Sequence, residues 1–131
     1  MPRDALRWWN DFFVLTYDIN HGAFLGLGNN LPEGIRNIIF SGLVGVFLTG
    51  FTIYAVREKA MNNLQNFACG LVLSGGFSNL YDRITNNGGV VDFMNMGIGS
   101  LRTGIFNIAD MAIMAGVVLL LIYSYKTDIK K

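Results

Sequence analysis

The sequence predicts an all-α membrane protein of three transmembrane helices, with a small β-rich extracytoplasmic element near the N-terminus. Three observations lead there. Long apolar stretches read as helices over 36–56, 64–81 and 106–125, each close to the ~20 helical residues that cross bilayer hydrocarbon. Hydrophobic residues make up 52% of the chain and charged ones 15%, against about 25% charged in a soluble domain. Basic residues follow two of the stretches, Arg57 and Lys59 after the first and Lys126, Lys130 and Lys131 after the last. At 131 residues the chain is one domain.

The first 34 residues form an interfacial segment. From Pro2 to Asp11, Ala5, Trp8, Trp9 and Phe12 recur at helical spacing, which predicts an amphipathic helix with tryptophans at the headgroup level. Phe12 to Tyr17 is rich in β-formers and is bounded by Asp11 and Asp18, so a strand is expected there. Asn20-His21-Gly22 and Gly28 to Pro32 read as turns. No basic region leads into an apolar core with a small-residue cleavage site, so a signal peptide is not expected.

Ile38 to Val56 is free of charge and ends at Arg57-Glu58-Lys59. The next charge-free run, Ala60 to Tyr81, is polar at its start and carries Gly70, Ser74 and Ser78 every fourth residue, a stripe suited to close helix packing. Phe106 to Tyr125 is interrupted only by Asn107 and Asp110. Basic residues mark the cytoplasmic side of a membrane protein. With three alternating helices this puts the loop 82–105 on the extracytoplasmic side, where Arg83 and Arg102 are interleaved with acids.

Composition excludes several chemistries. A net charge of +1 gives no support to nucleic-acid binding, and one cysteine, Cys69, rules out an internal disulfide. One histidine, His21, leaves no histidine cluster for zinc and reads as a turn residue. Ser74 and Ser78 have no neighbouring histidine to activate them, and Gly97 to Ser100 lacks the Lys-Ser/Thr of a phosphate loop.

What remains is carboxylates. Asp82 follows the second apolar run, Asp92 lies in the loop, and Asp110 sits in the third run, roughly 6 Å inside its end at 1.5 Å per residue. If Asp92 folds back onto the mouth of the helices, it and Asp110 share one pocket and one proton. One then acts as base and the other as acid toward a water attacking a peptide carbonyl. The same residues have a plainer reading. Asn107 to Asp110 suits a helix cap with an acid in the first turn, Asp82-Arg83 an interfacial ion pair, and Asp92 a loop beside the turn Asn86-Asn87-Gly88-Gly89.

Four boxes in order carry a resemblance. Gly76-Phe-Ser-Asn-Leu-Tyr-Asp-Arg83, Val90-Val-Asp-Phe93, Phe106-Asn-Ile-Ala-Asp110 and, upstream, Leu15-Thr-Tyr with Asn20-His-Gly-Ala-Phe-Leu-Gly26 resemble the lipoprotein signal peptidases, signal peptidase II. The resemblance covers roughly Phe12 to Tyr125. It implies a bacterial inner-membrane aspartic endopeptidase that needs no cofactor and has its site on the extracytoplasmic side. Such an enzyme cuts the signal peptide from diacylglyceryl-modified prolipoproteins, just before the lipidated cysteine, among membrane lipids, and globomycin-type cyclic peptides inhibit it. Carried over, the catalytic aspartates fall on Asp92 and Asp110, and Asn20, Asn79, Asp82, Arg83 and Asn107 line the substrate site. Arg83 is expected to orient a substrate backbone or lipid carbonyl.

Three departures stand out. The family's first of four helices, with its Asp and Lys, has no counterpart here; Ser78 takes a glycine position; Phe24-Leu25 replaces Ala-Phe. The first departure favours an alternative, a truncated and inactive relative that binds lipoprotein or lipid. A small transporter using Asp110 is a second, against which the loop position of Asp92 argues.

Overall fold

The computed structural model describes residues 5–22, 28 and 30–128. Ala23 to Gly26 of the upstream box, and Lys130 and Lys131, lie outside the described residues. The elements in order are strands β1 (Leu6–Trp8) and β2 (Phe13–Asn20), a helix that starts as α1 (Glu33–Asn37) and runs through a π-type stretch (Ile38–Leu43) into α2 (Val44–Arg57), then α3 (Asn63–Thr85), β3 (Val90–Ile98), β4 (Leu101–Arg102) and α4 (Ile108–Asp128). They form two compact units. The first is Met1–Gly42 with Tyr81–Asn107, the second Leu43–Leu80 with Ile108–Lys131.

The first unit is built on an antiparallel sheet of order β1-β2-β3-β4. The β-rich element is therefore larger than expected, because half of it comes from the segment read as a loop over 82–105. Alternation explains it. Val90, Asp92 and Met94 point inward with Val14 and Phe106, a period of two that glycines and polar residues hide in the sequence. Phe106 exchanges backbone hydrogen bonds with Met94, so its backbone is committed to the sheet and α4 starts at Ile108 rather than at 106.

The helix expected over Pro2 to Asp11 is not formed in its described part. Leu6 and Trp8 pair with Leu15 and Phe13, Trp9 to Asp11 turn in left-handed backbone, and Pro2 to Asp4 lie outside the described residues. A lone helix this short is marginal, whereas pairing with β2 satisfies its backbone and seats Trp8 beside Phe13, ring centroids 5.9 Å apart. The strand expected at Phe12 to Tyr17 is present and longer, as β2.

In the second unit, α3 opens with a reciprocal cap: Gln65 N–H donates to the Asn62 side-chain oxygen, and Asn62 N–H donates to Gln65 Oε1. The continuous helix Glu33–Arg57, whose first turns belong to the other unit, and Ile108–Thr127 are long and apolar enough to cross a membrane, and almost none of their side chains are buried. α3 is the least apolar of the three long helices.

The expected packing stripe is displaced. Gly70, Ser74 and Ser78 are exposed, and a Cβ on Gly70 would meet nothing within 4 Å. Contact runs instead through Gly75, whose Cβ would strike the Ala109 carbonyl oxygen, and Gly116, whose Cβ would lie 2.6 Å from Ala68 O. The physical reason is rotation: burial of Ala68, Cys69 and Val72 turns Gly75 and Gly76 inward, which carries the every-fourth-residue stripe outward. Gly75→Val is expected to force α3 and α4 apart and cost about 1–3 kcal/mol, read as a lower melting temperature in detergent. Gly70→Ala should leave stability unchanged or raise it by up to about 1 kcal/mol.

Candidate active site

Asp92 is the most deeply buried charged side chain among the described residues, 2% exposed. A carboxylate taken out of water needs partners on its oxygens. It has them: Asn107 Nδ2 donates to Oδ1 at 2.9 Å and Asn20 Nδ2 to Oδ2 at 3.0 Å. Both asparagines are themselves buried.

A bulge brings Asn20 there. β2 pairs Leu15 with Met94 but Asp18 with Asp92, so three residues of β2 span two of β3. The extra residue moves the following part of β2 by one position, and a one-residue slip exchanges the faces of a strand. Asp18 thereby comes directly opposite Asp92, and Asn20 lies diagonally across the ladder within reach of its carboxylate. Asn107 arrives from the other side, held at the start of α4 by the pairing of Phe106 with Met94.

The backbone next to Asp92 is held as well. Asp82, near the end of α3, accepts the Val91 N–H at 3.1 Å, and Asn107 Nδ2 reaches Val91 O at 3.3 Å. Asp82 thus acts on the strand rather than standing in an ion pair with Arg83. The guanidinium of Arg83 donates to the carbonyls of Gly88 and Gly22 and lies 5.4 Å over the Phe40 ring. It ties the turn after α3 to the end of β2. That turn is the predicted one: Asn87 and Gly88 adopt left-handed backbone and the Gly88 N–H caps α3 at Arg83 O.

The second unit holds the other acid. Asp110 is in the first turn of α4, where the helix dipole favours negative charge. Asn79 of α3 donates to its Oδ1 at 2.8 Å. Asn79, Asp82 and Arg83, at spacings of three and four, share one face of α3. So the structure gathers Asn20 and Asn107 on Asp92, with Asp82 on the neighbouring Val91 backbone, and sets Asn79 on Asp110, each group inside its own unit.

Two participants escaped sequence reading. Phe40 sits in an apolar run where nothing distinguishes it from its neighbours, and Asp18 is visible as an acid but not as the residue facing Asp92. His21 packs against Gly89, consistent with its turn position. Arg83→Ala is expected to lose about 2–3 kcal/mol of stability, since two backbone carbonyls lose a charged donor. Arg83→Lys should restore only part of it, because one ammonium lacks the guanidinium fork. Denaturation in detergent measures both.

Comparison with known proteins gives a consistent picture. The sequence profile of the family Signal peptidase (SPase) II matches residues 2–126. The chain is 32% identical to a lipoprotein signal peptidase of Borrelia duttonii, over 97% of its own length and 76% of that protein. It is 34% identical to one of Francisella tularensis subsp. novicida, over 91% and 73%. A solved bacterial membrane enzyme superposes with a TM-score of 0.82 at 27% identity, covering 98% of this chain and 74% of that one.

Proposed function

The chain belongs to the signal peptidase II family, and from that premise we propose that it is an aspartic endopeptidase that cuts the signal peptide from diacylglyceryl-modified prolipoproteins, with Asp92 and Asp110 as its working pair. The observation that carries the pair is Asp92: a carboxylate 2% exposed, gripped on both oxygens by amides from distant segments. Stability alone does not call for that, since an apolar residue would fill the place at lower cost. Asp110 has the matching credentials, an acid at a helix start with an amide on its oxygen.

The chemistry needs one proton on the pair. One carboxylate takes a proton from a water as its oxygen bonds to the carbonyl carbon before the lipidated cysteine, and the protonated partner gives its proton to the carbonyl oxygen. The tetrahedral diol then collapses. The first carboxyl donates its new proton to the cysteine nitrogen as the C–N bond breaks, and a diol hydroxyl returns a proton to the second. Water is consumed, a carboxylic acid and an amine leave, and the pair is restored. These protons belong to the pair rather than to either residue. Asn20, Asn79, Asp82, Arg83 and Asn107 hold the site in shape for a lipid-anchored substrate.

Three spanning helices, with α3 as the third, put this chemistry at the extracytoplasmic face of the bacterial inner membrane, as the basic ends at Arg57, Lys59 and Lys126 favour. There the diacylglyceryl chains of the substrate remain among membrane lipids, and globomycin-type peptides would compete for the same site. The decisive assay is cleavage of a diacylglyceryl-modified prolipoprotein in liposomes by this chain and by Asp92→Asn and Asp110→Asn. Each substitution is expected to lower kcat by about 10³-fold or more with folding retained. Normal cleavage by either variant refutes the pair. A parent chain that binds the substrate without cutting it would identify an inactive relative.

A further inference from the structure

Phe40 enters the site from an element that the four sequence boxes do not include. It stands in the π-type stretch Ile38–Leu43, and such stretches within helices occur frequently at functional sites. The guanidinium of Arg83 lies over its ring, with Cζ 5.4 Å from the ring centroid, a distance at which the negative face of the ring attracts a cation. The same ring crowds Gly28, where a Cβ would come within 2.8 Å of it. Three residues earlier, Asn37 Oδ1 lies 2.1 Å from where a Cβ on Gly88 would stand. The start of the first helix therefore meets Arg83, Gly28 and Gly88, all within the first unit.

From Arg83 an unbroken path leads to Asp92. Arg83 Nη1 donates to Gly88 O at 3.0 Å and Nη2 donates to Gly22 O. The Gly22 N–H donates to Asn20 Oδ1 at 2.9 Å, and this turns Nδ2 of the same amide to Asp92 Oδ2 at 3.0 Å. Every link lies in the first unit. A long Arg side chain has many rotamers, and a ring under its guanidinium narrows the choice without taking up an N–H. We infer that Phe40 is a positioning residue for the proposed cleavage: it fixes the guanidinium of Arg83, Arg83 fixes the Gly22 peptide, and that peptide orients the Asn20 amide on Asp92. The inference rests on the reading of Asp92 as a working carboxylate. It gives Arg83 a task on the protein's own backbone, so loss of the ring slows turnover without weakening substrate binding.

The test replaces Phe40, in the full chain in detergent micelles, with phenylalanines carrying one, two or three ring fluorines. These nearly keep its shape while draining the negative face that holds the cation. Cleavage of a diacylglyceryl-modified prolipoprotein should lose kcat in step with fluorination, about fivefold at the last step, with KM unchanged. Phe40→Leu keeps the apolar bulk and should show the same loss. In an Asn20→Ala background the same fluorines should leave kcat unchanged within about 1.5-fold, because the path is already cut. The side-chain amide signals of Asn20 in NMR spectra, identified by their loss in Asn20→Ala, should move in the same steps, while those of Asn107, held at Val91 O, stay in place. Turnover and amide signals that ignore fluorination overturn the inference and leave Phe40 a packing role, as does full activity in Phe40→Leu. A raised KM at constant kcat overturns it too, since Arg83 would then act on the substrate. Equal losses with and without Asn20 show that the ring works by another route and overturn it as well. Failure of the functional reading looks different: Asp92→Asn then cleaves normally, whatever happens at Phe40.

Discussion

A carboxylate buried almost completely and held by two amides is the constraint on which the first unit depends. Asp92 cannot sit where it does unless Asn20 and Asn107 arrive with it, because each unsatisfied oxygen would carry a large desolvation penalty. Those partners come from the end of β2 and from the residue before α4, far apart in the chain. The features around them serve that meeting. The bulge in β2 sets the register that reaches Asp92, Phe106 pins the other asparagine, and Asp82 and Arg83 fasten the neighbouring backbone.

The second unit obeys a different rule. Among its described residues many apolar side chains are exposed, as expected where hydrocarbon takes the place of water. Packing is then a matter of how closely backbones approach. Gly75 against Ala109 and Gly116 against Ala68 provide that approach. Asn79 and Asp110 add a polar pair bridging α3 and the first turn of α4. In a membrane protein a polar pair of this kind is expensive and marks a working site more often than a structural one.

Much of this was legible. Two of the apolar runs are helices fit to span a membrane, the β-formers at Phe13 to Tyr17 lie in a strand, and Asn87-Gly88 is a turn. The four boxes pointed to the family because chemically specific residues stand in order within and beside the apolar runs. What misled was local periodicity. Ala5, Trp8 and Phe12 have helical spacing but Leu6 and Trp8 pair as a strand, and Gly70, Ser74 and Ser78 look like a packing face but point outward. In both cases the competing patterns overlap within a few residues, and the choice between them belongs to a neighbouring element.

The sequence by itself determined the family and two apolar helices fit to span a membrane, since hydrophobic run length and a chemically specific motif are properties of the chain alone. Which glycines meet, how far β2 is shifted against β3, and which atom of each asparagine faces Asp92 were decided only by tertiary structure. Each of those depends on a second segment whose distance in space no spacing records: Val91 and Gly22 turn the amides, and a single extra residue in β2 chooses the face they act on.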